Sequence, residues 1–85
     1  MKEKDYEILS FIQAGKRRKG VLEALKEKPL IPKEIAKKCN ISISNVSNTI
    51  PALLEKELIE CINPKSHTYK YFQLTKKGKD TINSI

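Results

Sequence analysis

The sequence holds 85 residues, 39% of them hydrophobic, and 17 basic against 10 acidic side chains give it a net charge of +7. That length predicts one small domain, with few apolar residues left over for a buried catalytic pocket. No run of 18 apolar residues is present and the opening MKEKDYEI lacks a signal-peptide pattern, so no membrane span is expected and a cytoplasmic location is.

Positive charge favours a polyanion as partner, and its distribution says more than its sum. Residues 1–15 carry −1, 16–28 carry +4, 29–57 carry +1 and 58–85 carry +3. Cys39 and Cys61 fall on apolar segments, where small buried hydrophobes are expected. Neither has close ligand spacing to the other or to His67, so no metal site and no cofactor are expected. The only histidine lies in a turn and no Gly-rich phosphate loop occurs, so an enzyme is not expected.

Residues 3–14 (EKDYEILSFIQA) predict a first helix with Tyr6, Ile8, Leu9, Phe11 and Ile12 on its apolar side, ended by Gly15. This helix either covers the core or pairs with a second copy of itself. Residues 16–28 continue with a helical face of Val21, Leu22, Ala24 and Leu25. Lys16, Arg17, Arg18 and Lys19 oppose the positive end of that helix dipole, which favours an external anion such as phosphate nearby. Pro29–Pro32 is short and extended, and Leu30 and Ile31 can pair with a hairpin further on.

Pro32 starts a helix in which Ile35, Ala36 and Cys39 recur at helical spacing, leaving Lys33 and Lys37 on its exposed side. Asn40–Ser42 form a turn, and Ser42 can cap the next helix, residues 43–56. There Val46, Ile50, Leu53 and Leu54 make an apolar stripe, and Ser44, Asn45, Ser47 and Asn48 lie off it. Pro51 removes one helical hydrogen bond at a cost of about 3 kcal/mol. Since the stripe resumes at once, a kink is expected there rather than an end. LIECI (58–62) and TYKYFQL (68–74) predict two strands around a polar turn at Asn63–His67, with Phe72 and Leu74 on one face. Residues 75–80 lead into a short terminal helix holding Ile82 and Ile85. The expected fold is mainly α with a small β-hairpin.

A helix braced on another, with small polar side chains at its exposed N-terminal end, has the geometry for reading a DNA major groove. From Ser42 to Leu54 no residue is charged. Asparagine suits the N6/N7 edge of adenine, whereas the commonest guanine contact needs Arg or Lys, so sites with A·T pairs are expected. Affinity is expected from phosphates, through Lys16, Arg17, Arg18, Lys19, Lys33, Lys37, Lys65 and Lys70, with His67 a further backbone candidate.

Helix, helix-turn-helix, then hairpin is the order of a winged-helix domain. The run IAKKCNISISNVSNTIPALLEKELIECINP, followed by YKYFQLTKKG, resembles small archaeal and bacterial regulators of the ArsR/MarR-like winged-helix superfamily. The opening DYEILSFIQAGKRRKGVLEAL resembles the start of compact archaeal members, so the likeness covers nearly the whole chain. It implies a winged helix-turn-helix over residues 16–75, with an N-terminal helix in 1–15 (core cover or dimerisation) and a C-terminal helix in 76–85. It also implies that Ser44, Asn45 and Asn48 face the major groove. Ser47 would touch the backbone, for which Ser42 at the start of the same helix is a further candidate, and residues 63–68 would form a wing against the minor groove or phosphates. The implied function is sequence-specific binding of double-stranded DNA by a homodimeric transcriptional regulator. The alternative is a protein-interaction or non-specific architectural module. Three residues depart from the pattern: Asn48 replaces a frequent arginine, Pro51 is unusual, and Glu57 replaces a common glycine.

Overall fold

A computed structural model describes residues 3–84, with side chains from Tyr6 onward. In chain order the described residues form α1 (Glu3–Gln13), α2 (Lys16–Ala24), α3 (Pro32–Cys39), α4 (Ile43–Glu55), β1 (Ile59–Cys61), β2 (Phe72–Leu74) and α5 (Lys76–Asn83). β1 and β2 pair antiparallel in the register Ile59↔Leu74, Glu60↔Gln73 and Cys61↔Phe72. The helix order and the hairpin are those the sequence predicts. Ile85, expected on the last helix, lies outside the described residues.

Every element sends side chains into one core: Ile12 from α1, Val21 and Leu22 from α2, Ile35 from α3, Val46, Ile50 and Leu53 from α4, Ile59, Phe72 and Leu74 from the strands, Ile82 from α5. Each such burial stabilises the fold by roughly 1.5–3 kcal/mol relative to exposure. α3 and α4 pack on α2, so the helix-turn-helix pair rests on the helix before it.

Two left-handed residues set the turns around α4. Asn40, at φ 57°, ends α3, and the next amide, of Ile41, donates to the Ala36 carbonyl at 3.0 Å. Asparagine tolerates this conformation, and half-buried Ile41 packs on the core behind it. Glu57, at φ 59°, ends α4 in the same way, with the Leu58 amide donating to the Leu53 carbonyl at 3.0 Å. Burial of Leu58 holds Glu57 in a conformation that costs a non-glycine residue about 1–2 kcal/mol.

Gly78 in α5 is set by contact rather than by backbone angle: a Cβ there would overlap the Leu58 carbonyl oxygen. Thr75 caps α5 by accepting from the Gly78 amide at 3.0 Å, and its hydroxyl donates to the Glu57 carbonyl at 2.6 Å. The last helix is therefore seated on the turn that closes α4.

Several boundaries differ from the expected ones. The helical face in residues 16–28 reaches Leu25, but α2 stops at Ala24, because the Leu25 amide is shared between the Val21 and Leu22 carbonyls as the last turn tightens. The second strand is Phe72–Leu74 alone, not 68–74. Phe72 exchanges both backbone bonds with Leu30 (3.0 and 2.9 Å), which places β2 between Leu30 and β1. Before it, the Tyr69 carbonyl and the Tyr71 amide are taken by the Asn63 side chain rather than by a strand. α4 runs through Pro51 to Glu55, so helix continues past the proline as expected.

Candidate nucleic-acid interface

Ser42 caps α4, its Oγ accepting from the Asn45 amide at 3.1 Å. From there the helical step of 3.6 residues turns Val46, Ile50 and Leu53 inward. Opposite them Ser44, Asn48, Pro51 and Glu55 form an exposed ridge, with exposed Ser47 on one flank. Asn45 lies at the other flank, half-buried, and its carbonyl accepts from the Thr49 hydroxyl at 2.7 Å. From Ser44 to Pro51 this ridge carries hydroxyls, an amide and a proline, and no charge.

A hollow lies on each side of the ridge. On the side of the hairpin loop, a cavity of about 460 Å³ is bounded by Lys33 at the start of α3, Ser47 and Pro51 of α4, and His67, Tyr69 and Lys70 of the loop. Its floor is Ile50 and Phe72. On the other side a cavity of about 600 Å³ runs from Asn48, Thr49 and Ala52 to Lys16, Arg17 and Arg18. The fold thus brings the start of α2, the start of α3 and the hairpin loop to the two borders of one neutral helix face.

Not every expected cation joins them. Lys19, Lys37 and Lys65 are exposed but border neither hollow, and the Lys19 ammonium lies 4.0 Å from Glu23, one turn on. Arg18 turns inward. Its guanidinium donates to the Phe11 carbonyl at 2.6 Å and sits 4.1 Å from the centre of the Phe11 ring. The Phe11 carbonyl belongs to the last turn of α1, where no helical amide is left to satisfy it. Arg18 therefore caps α1 across the Gly15 corner, at the negative end of its dipole. Gly15 leaves the room, since a Cβ there would lie 3.1 Å from Arg18 Cδ and Nε.

Two residues at this surface carry roles that the sequence does not single out, although Asn63 falls within the expected wing of residues 63–68. Tyr69 borders the loop-side hollow, and Asn63 bonds across the loop base. Only Asn63 carried a signal, as an Asx residue preceding proline in a turn. Away from the interface, the Cys39 thiol donates to the Gly20 carbonyl at 3.3 Å, and burial pushes its pKa above the ordinary value. Among the described residues no group of three or more His, Cys, Asp or Glu side chains is placed to hold a metal ion, and no helix is long and apolar enough to cross a membrane.

Comparison with known proteins agrees with this architecture. Wild-type ZitR from Lactococcus lactis, solved in complex with DNA, is similar at 25% identity and a TM-score of 0.71, over 79% of this chain and 47% of that one. Reduced HlyU from Vibrio cholerae is similar at 21% identity and a TM-score of 0.76, over 94% and 83%. The homodimeric winged helix-turn-helix DNA-binding domain of a possible ArsR-family transcriptional regulator from Mycobacterium bovis follows at 20% and 0.70, over 94% and 70%. The chain spans about half the length of the ZitR chain, and no curated protein sequence matches it. Residues 18–85, most of the sequence, match the winged helix-turn-helix family, and the chain belongs to it.

Proposed function

We propose that this protein binds double-stranded DNA as an ArsR/MarR-like transcriptional regulator in the cytoplasm. The observation that carries the reading is the neutral, hydrogen-bonding ridge of α4 between two borders rich in cations. With α4 in the major groove, Ser44 and Asn48 reach base edges and Asn45 reads from the flank. Ser47, Lys33, His67 and Lys70 meet the phosphates on the wing side, with Lys65 at the wing tip and Lys37 and Ser42 further along the same strand. Lys16 and Arg17 meet the phosphates on the other side. There the first turn of α2, which has no side-chain cap, adds its own amides. Arg18 serves this border from within, as the cap of α1, and Lys19 adds long-range attraction only.

The partner of α1 is a second copy of the chain in this reading. Tyr6 is 59% exposed on the helix that precedes the winged domain, and a two-fold dimer presents two α4 helices to a symmetric site. The experiment is selection from random double-stranded fragments at two salt concentrations. Enrichment of a two-fold symmetric motif rich in A·T pairs, with binding that weakens steeply as salt rises, is expected. Salt-sensitive retention without any motif would assign an architectural role instead, and no retention at low salt would refute DNA binding.

A further inference from the structure

We infer that Asn63 is a positioning residue that holds the wing in its DNA-contacting shape. Its side chain does the work of a missing strand residue. The Tyr71 amide donates to Asn63 Oδ1 at 2.7 Å, and Asn63 Nδ2 donates to the Tyr69 carbonyl at 2.7 Å. The two partners fix the orientation of the amide, since one can only donate and the other only accept. The ladder of the hairpin ends just before this point: the Ile62 amide still donates to the Tyr71 carbonyl at 3.0 Å, but the return bond goes to the side chain. One primary amide, carrying a donor and an acceptor as a peptide unit does, extends the pairing into a loop that has no strand partner.

The rest of the loop hangs from the same residue. The Asn63 carbonyl accepts from the Ser66 amide at 3.0 Å, closing a turn with Pro64 at its second position. The Ser66 hydroxyl in turn accepts from the Thr68 amide at 3.3 Å, and the Cys61 thiol approaches Asn63 Oδ1 at 3.7 Å from the strand below. Pro64, Lys65, His67, Thr68, Tyr69 and Lys70 are all exposed, so hydrophobic burial contributes little to holding them. Hydrogen bonds, most of them to Asn63, are what remains.

This inference rests on the DNA-binding reading for its consequence, but its structural half is testable without DNA. In Asn63→Ala the Tyr71 amide is expected to exchange with solvent at least tenfold faster than in the wild type, while amides of α2 and α4 keep their protection. Asn63→Asp keeps the acceptor for Tyr71 and loses the donor to Tyr69, so its Tyr71 amide stays protected. In DNA binding, Asn63→Ala is expected to flatten the dependence of log K on log salt by about 2, one unit for each of Lys65 and Lys70. Lys65→Ala, with the wing still held, flattens it by about 1. Unchanged Tyr71 exchange in Asn63→Ala would overturn the inference, as would a loosened wing with an unchanged salt slope. A wild type that never binds DNA would refute the functional reading alone, and the exchange rates would still decide whether Asn63 holds the loop.

Discussion

Glu57 holds a left-handed backbone conformation that glycine adopts without strain. Its φ of 59° costs a residue with a Cβ about 1–2 kcal/mol, and glycine is free of that cost. Against this, glycine loses more freedom on folding, about 0.5–1 kcal/mol. The side chain is exposed, and the backbone bonds at this turn (the Glu57 amide to the Leu54 carbonyl, the Thr75 hydroxyl to the Glu57 carbonyl) do not involve it. Mid-values of the two terms give a stabilisation by Glu57→Gly of about 0.75 kcal/mol, which for a domain of this size raises the melting temperature by roughly 3–6 °C. Glu57→Ala keeps the Cβ and removes the carboxylate, so it should stay within about 0.5 kcal/mol of wild type. Far-UV circular dichroism during thermal and urea unfolding measures all three proteins. A Glu57→Gly variant no more stable than Glu57→Ala would refute the reasoning.

Three further outcomes are expected. On a selected DNA site Asn48→Ala should narrow the gap between specific and random sequence by about 1–3 kcal/mol with the salt slope unchanged, whereas Lys33→Ala should weaken all sequences alike and flatten the slope by about 1; fluorescence anisotropy titrations at several salt concentrations separate the two. Arg18→Ala should lower stability by about 1–2 kcal/mol, measured by urea unfolding, because it removes a charge-assisted cap from α1; a variant that keeps its stability would place the guanidinium at the surface instead. Burial raises the pKa of Cys39 in the folded state, so above its ordinary value of 9.0 the unfolded chain loses this proton first. Stability should then fall as pH rises past 9, less so in Cys39→Ala, as followed by urea midpoints across alkaline pH.

Local chemistry made most of the frame legible. Pro32, Ser42 and the apolar stripe of Val46, Ile50 and Leu53 each act within a few residues, so sequence spacing alone places α3 and α4. The pairing of Leu30 with the hairpin was also within reach, because a proline-bounded extended segment has few partners. What sequence did not show is where long side chains turn. Arg18 sits in a run of four cations and reads like its neighbours, yet only it meets the free carbonyl at the end of α1. Alternation in residues 68–74 predicts a strand, but Asn63 supplies the bonds a strand would have used, and it acts from six and eight residues away. Both are tertiary choices made by one polar side chain, which periodicity does not record.

The distribution of charge over the interface separates the source of affinity from the source of discrimination. A helix that reads bases with arginine gains affinity and discrimination from the same side chain. Here α4 holds no charge from Ser42 to Leu54, and the cations stand across hollows on either side. Phosphate attraction acts over about 8–10 Å and tolerates small errors in placement, whereas an amide must meet its base edge within about 3.2 Å. In the proposed complex, discrimination by Asn48 therefore depends on how rigidly the flanking cations set the register of α4 on the duplex. On one flank that rigidity comes from the Arg18 cap, on the other from the Asn63 bonds across the wing. Neither residue needs to touch DNA to sharpen its reading, and loss of either should blur sequence preference before it abolishes binding.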